Sequence, residues 1–240
     1  MLTVIRKYGP LKVYQKWFFS KPDRSDIGRI TVYKQCSSLE DIPGFLRKDF
    51  FTLHIDIGTK TSDELFNDFS KTNQTKIKKS FKDSVTIYNN IDFLDFMSFF
   101  NTFAQFKKLM PLTIKELTSY KEHIRFTWIA NEGEPIAAHG YLLDADNGIV
   151  RLLYSATMVR DNENYEFISR SNRRLHWYDF ELFKNEGYRT LDMGGLALNP
   201  KDKETEGIDF FKKSFGGTIV KQSHYESWPA YFIKKIVHKD

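Results

Sequence analysis

The stretch LDMGGLALNPKDKETEGIDFFKKSFGG, residues 191–217, gathers the residue types best suited to chemistry. Asp192 follows an apolar residue at the end of a strand pattern, a costly place for a carboxylate unless it is paired or used. The competing reading is an aspartate that hydrogen-bonds the turn after it. Gly194 and Gly195 mark either a strand bulge or the close approach of a substrate. In GIDFFKKSF, helical spacing turns Ile208, Phe211 and Phe215 inward and leaves Lys212 and Lys213 at the rim. A lysine so placed is a fixed positive charge for a phosphate or an oxyanion, or else a solvated side chain. His139, mid-strand in PIAAHGYLL, and Tyr154, in LLYSAT, are able to give or take a proton. The alternatives are a hydrogen-bonded structural histidine and a core tyrosine.

Anion binding has two further candidates. A long helix starts within TMVRDNENYEFIS, and its first N–H groups and dipole favour a negative charge. Arg160, Arg170, Arg173 and Arg174 would reinforce it, or lie on a solvated face. The segment KTNQTKIKKSFK carries five lysines in twelve residues, with Lys71, Lys78 and Lys82 near one helix face. That face suits sequence-independent phosphate contact or simple solvation. The histidines at 54, 123, 176, 224 and 238 show no spacing such as HExxH, so no metal is expected. No Walker loop, Rossmann fingerprint or G-x-S-x-G elbow occurs, which argues against kinase, dehydrogenase and hydrolase chemistry.

The elements that position these residues follow from periodicity. Alternating runs LTVIRKY, RITVYKQ and FFTLHIDI read as strands in the first 60 residues. From Ser62 the period becomes helical, with Leu65, Phe66, Phe69, Ile77 and Phe81 at mostly helical spacings in two short helices or one broken helix. SVTIYNN is a strand, IDFLDFMSFFNTFAQFKKLM a helix ended by Pro111, and TIKELTSYKEH a short helix. IRFTWIA, PIAAHGYLL and IVRLLYSAT, joined by turns of hairpin length, make an antiparallel meander. Residues 167–186 form the longest helix, with Gly187 closing it. YRTLDM is a strand, NPKDKETEG a rim loop, GIDFFKKSF a helix, and GTIVKQSHY and AYFIKKIV strands. From Ser84 the order is β-α-α-β-β-β-α-β-α-β-β. The fold class is α/β (α+β): a mixed, mostly antiparallel twisted sheet flanked by helices, with a reduced β-rich lobe in residues 1–83 and the main domain in 84–240.

That order is similar to the GCN5-related N-acetyltransferase (GNAT) fold, and several stretches resemble its FemABX branch, which includes aminoacyl transferases that build peptidoglycan cross-bridges. TLHIDIGTKTSDELFNDFSKTNQTKIKKSFKDSVTIY resembles the branch's strand, acidic helix start and basic helix. GEPIAAHGYLL resembles its second strand pair, NRRLHWYDFELFKNEGYRTLDMGGL its long helix and glycine-ended strand, and GIDFFKKSFGG its "FK..FG" helix end. The resemblance implies a donor carbonyl held where the fourth strand splays from the fifth, so residues 152–158 and 191–196 become the walls of a cleft. Donor contacts then fall to Ser155, Thr157, Met158, Arg160, Arg170, Asn172, Gly194, Gly195 and Phe211. Phe211 and Lys212 match the "FK" pair beside the acyl-transfer centre, and Asp192 lies at its edge. The larger FemABX enzymes carry two full domains and often a coiled-coil insertion, whereas this chain has room for about one and a half and no heptads. The glycine loop of acetyl-CoA enzymes is missing from TMVRDNENYEFISRSNRR. Acyl-CoA, a carrier-bound acyl group and aminoacyl-tRNA all stay open as donors, with acyl-CoA or a carrier favoured by the chain's length.

Composition sets the outer limits. The 240 residues are 41% apolar, 28% charged and 16% aromatic, a globular composition with a net charge of +5 and a pI near 9.0 that favours anionic partners. Cys36 is the only cysteine, which excludes an intrachain disulfide and thiolate-rich metal sites and fits a reducing, cytoplasmic setting. No signal-peptide pattern or run of 18 apolar residues is present. The expected activity is N-acyl transfer to a primary amine of a small-molecule or cell-envelope precursor. The competing class is a catalytically silent module that binds RNA or a nucleotide. The acceptor and the oligomeric state are not legible.

Overall fold

The computed structural model describes residues 1–159, 164–200 and 202–237. Its strands in chain order are β1 (Leu2–Tyr8), β2 (Leu11–Trp17), β3 (Thr31–Cys36), β4 (Phe45–Asp56), β5 (Thr86–Asn89), β6 (Ile124–Asn131), β7 (Glu134–Asp144), β8 (Ile149–Thr157), β9 (Thr190–Gly195) and β10 (Thr218–Ser227). Its helices are α1 (Ser62–Asp68), α2 (Lys71–Ser80), α3 (Phe93–Lys107), α4 (Ile114–Ser119), α5 (Tyr165–Asn185), α6 (Lys203–Lys213) and α7 (Trp228–Val237). The class is mixed α+β with mostly antiparallel strands, a GNAT-like arrangement.

The chain forms two compact units. The first comprises Met1–Thr52, Gly195–Leu198 and the described residues from Ile219 on; the second comprises Leu53–Gly194 and Asn199–Thr218. The units do not follow a division at residue 83, because α2 packs against α5 and belongs to the second unit.

In the first unit the strand order is β1-β2-β3-β10-β4. β1 and β2 form a hairpin in register from Leu2↔Trp17 to Tyr8↔Leu11, β2 runs parallel to β3, and β10 is antiparallel to β3. Its core holds Tyr33, Cys36, Phe45 and Tyr225. The expected final strand AYFIKKIV is instead α7. Pro229 in the first turn suits a helix start, Ser227 Oγ accepts the Ala230 N–H at 3.3 Å, and Trp228, Phe232 and Ile236 recur at helical spacing.

In the second unit the order is β4-β9-β8-β7-β6-β5. β5 to β8 are successively antiparallel, and β9 returns parallel to β8. A parallel pair needs a crossover, and α5 supplies it. The alternation of β7 distributes its residues between two helical layers. Ala138 packs with Phe96, Phe100 and Phe126 in the cluster under α3, whereas Ala137 packs with Ile168 and Leu175 of α5. Thr61 caps α1 in a capping box with Glu64. α6 starts earlier than the FF pair announces: the Asp202 side chain accepts the Thr205 N–H at 2.7 Å, so part of the expected rim loop is helical. Ile208 on that helix is 49% exposed, not core-facing as its spacing implied, while Phe215 is buried.

Candidate functional site

β9 lies between β8 and β4, and the sequence TLDMGG buries Leu191, Asp192 and Met193 in succession. In the parallel pairing, Arg151 stands directly across from Asp192. Arg151 Nε is 3.6 Å from Asp192 Oδ2. On the other side His54 of β4 places Nε2 3.7 Å from the same oxygen. The second carboxylate oxygen accepts the Gly194 N–H at 2.7 Å. Asp192 is thus fully buried, with the Gly194 N–H, the Arg151 guanidinium and the His54 ring around its carboxylate.

Gly194 has a φ of +80°, a left-handed conformation that only glycine adopts without strain. A Cβ built there would sit 3.3 Å from Leu152 O, 3.7 Å from Lys212 Nζ and 3.8 Å from Arg151 Nη2. The bare backbone therefore opens the spot where the amine of α6 and the guanidinium of β8 converge. Burial, and after it the neighbouring Arg151 charge, pull the Lys212 pKa below its ordinary value, against the attraction of Asp209 and Asp192. Burial likewise lowers that of Arg151, with Asp192 the main opposing influence. Two cations, two carboxylates and one imidazole meet here, a set suited to holding a developing negative charge and moving one proton.

Tyr154, further along β8, donates its hydroxyl to Glu116 Oε1 at 3.2 Å and packs on Phe96 and Phe100. Ser155 pairs across from His139 in the β7–β8 ladder. Thr157 is buried, and Met158 is partly exposed with its N–H donated to Ile136 O at 2.8 Å. Gly195 belongs to the first unit, where a Cβ would lie 2.9 Å from the Phe50 ring, so packing against that ring accounts for this glycine. Phe211 packs on Phe215 and His176 and carries the Arg173 guanidinium over its face.

The arginines of α5 are engaged with α2 and the turn that follows it. Arg170 makes a two-pronged pair with Asp83 at 2.6 and 2.8 Å. Arg173 Nε donates to Asn73 Oδ1 at 2.7 Å, and Arg174 donates to Ser80 O at 2.7 Å. Arg160 lies outside the described residues. His139 and Asn172 stand in a separate buried group with Asp179, not around Asp192. A cleft of about 320 Å³ opens elsewhere in the unit, between Asp92, Thr118 and Arg125, and contains neither Asp192 nor Lys212.

His54 and Arg151 were not singled out in the sequence. Arg151 had a signal, a lone charge inside the apolar run IVRLLY. His54 had none, because only the placement of β4 beside β9 gives it a partner.

Set beside solved structures, the chain is similar to FemX, with a TM-score of 0.68 and 12% identity over 98% of this chain and 86% of that one. This is a GNAT-like fold of the FemAB kind. The chain is also similar to L-PGS from Bacillus licheniformis, with a TM-score of 0.57 and 13% identity over 96% of this chain and 83% of that one. A third similar structure is the C-terminal DUF2156 domain of a candidate lysylphosphatidylglycerol synthetase from Agrobacterium fabrum, at a TM-score of 0.57 and 8% identity over 98% and 85% of the two chains. At these identities the likeness concerns the FemAB-type fold alone. No protein-family model and no curated protein matches the sequence. Among the described residues, no helix is long and apolar enough to cross a membrane.

Proposed function

We propose that the chain is an N-acyltransferase that moves an acyl or aminoacyl group from an activated donor to a primary amine, with its centre at Arg151, Asp192, Gly194 and Lys212. The observation that carries this reading is the convergence of Lys212 Nζ and Arg151 Nη2 over the bare Gly194 backbone. It lies at the splay-side strand end and the FK helix to which the sequence resemblance assigns acyl transfer. The acceptor nitrogen attacks the donor carbonyl, whose electron pair moves onto oxygen. Lys212 and Arg151 hold that oxyanion. The oxyanion then collapses, the donor's thiolate or ribose oxygen leaves, and the proton shed by nitrogen passes to His54, held beside Asp192.

The donor is acyl-CoA, a carrier-bound acyl group or aminoacyl-tRNA, and the acceptor a small-molecule or cell-envelope amine met in the cytoplasm. Incubating the full chain with acetyl-CoA, longer acyl-CoAs or charged tRNA and an amine library, followed by mass spectrometry, tests the reading. Expected is a mass gain in one amine that falls at least a hundredfold with Lys212→Met. No transfer and no donor binding from any of these would sink it.

A second reading has its own observation. Phe81 is 59% exposed, carries the Arg174 guanidinium 4.9 Å from its ring centre, and has exposed Lys78, Lys79 and Lys82 beside it. An aromatic platform among cations suits single-stranded RNA or a nucleotide. Salt-sensitive RNA binding that survives Lys212→Ala and Asp192→Ala, without transfer, would favour a binding module.

A further inference from the structure

The second unit buries another polar group that acyl transfer does not use. His139 of β7 and His176 and Asp179 of α5 are all fully buried. Both ring nitrogens of His139 face oxygens: Nδ1 is 2.7 Å from Asp179 Oδ2 and Nε2 is 3.0 Å from Asn172 Oδ1. The Tyr141 hydroxyl donates to the same Asp179 Oδ2 at 2.8 Å. The His176 ring lies against that of His139, with centroids 4.1 Å apart and planes 33° apart.

This arrangement leaves polar atoms unserved. Among the described residues, neither ring nitrogen of His176 has a hydrogen-bond partner, nor has Asp179 Oδ1. An imidazole always presents at least one donor or acceptor, so a wholly buried one without partners carries its full desolvation cost. Phe180, Phe211 and Phe215 surround His176, and a phenyl ring there would carry no such cost. Burial also keeps His176 neutral, the form that binds metals.

We propose that His139, His176 and Asp179 bind one divalent transition-metal ion of the zinc class, in a buried three-ligand site joining α5 to β7. One ligand atom from each residue lies within 4.8 Å of the other two. Four-coordinate zinc with bonds of about 2.0–2.2 Å holds its ligand atoms roughly 3.3 Å apart, so small side-chain rotations suffice. Two imidazoles and a carboxylate are nitrogen and oxygen donors of the kind zinc takes. The ion would take the place of the hydrogen bond between His139 Nδ1 and Asp179 Oδ2. The ligands come from residues 139, 176 and 179, a separation that no short motif describes. The site is independent of the acyl-transfer reading.

The test uses the full chain without an affinity tag, stripped with a chelator and dialysed. Titration with Co(II) should give visible absorption bands that saturate at one equivalent and are displaced by Zn(II). Zn(II) should also raise the thermal midpoint by several degrees. His176→Phe, which keeps the apolar packing, and Asp179→Asn should abolish the bands. Absence of saturable Co(II) or Zn(II) uptake by the stripped wild-type chain overturns the proposal, as does unchanged uptake in a folded His176→Phe variant. Metal uptake by the wild-type chain needs no variant, so a variant that fails to fold still leaves a decisive result.

Discussion

Replacing His176 by Phe should flatten the dependence of stability on pH between pH 7 and 5. Burial first, then His139, Arg173 and Lys212, hold the folded-state pKa of His176 well below 6.5. The group is neutral in both states above 6.5 and contributes no pH dependence there. As pH falls below 6.5 the unfolded chain takes up a proton that the folded chain refuses, so stability drops by up to about 1.4 kcal/mol per pH unit. Across pH 7 to 5 the loss amounts to at most about 2 kcal/mol. Carboxylates with lowered pKa values, such as Asp26 and Asp56, act only near and below the ordinary aspartate value of 3.8. Urea denaturation with a chelator present, at pH 7 and pH 5, gives the comparison. The wild-type chain should lose up to about 2 kcal/mol more over this interval than His176→Phe. Parallel pH dependence in the two proteins would refute the reasoning, because it would mean that His176 takes up its proton as readily in the folded chain as in the unfolded one.

Three other outcomes follow from the geometry. Gly194→Ala forces a side chain into a positive φ and against Leu152 O, so the urea midpoint should fall by an amount corresponding to about 1–3 kcal/mol; an unchanged midpoint would contradict the bend. Arg170→Leu leaves Asp83 without its two-pronged partner and should cost about 1–3 kcal/mol, with a double-mutant cycle against Asp83→Asn recovering part of the loss. Ser227→Ala removes the acceptor for the Thr31 and Ala230 N–H groups and the donor to Arg29 O. It should destabilise the first unit by about 1–3 kcal/mol, read as faster amide hydrogen exchange in α7 and β3.

The meander β6–β8, the crossover helix α5 and the glycine-ended β9 were legible because their periods and turns agree. The run AYFIKKIV was not: its β-branched and aromatic residues fit a strand as well as a helix face, and a buried serine hydroxyl decides between them. Asp192 and Lys212 could be picked out because a carboxylate at a strand end and a lysine beside paired aromatics are locally odd. Arg151 and His54 could not be joined to them without strand order, since β4 precedes β9 by more than 130 residues. The same distance effect hid the His139–Asp179 pair, where a mid-strand histidine looks like any other until a helix turn 40 residues on lies over it.

The position of β10 in the first unit fixes when that unit is able to assemble during synthesis. β10 is hydrogen-bonded between β3 and β4, yet among the described residues it is made after every other strand. Until residues 218–227 leave the ribosome, β3 and β4 each present an unpaired edge, the feature that invites association with other chains. Nascent or truncated chains ending before Thr218 should depend on chaperones for solubility, whereas β6, β7 and β8 pair with immediate neighbours as soon as they emerge.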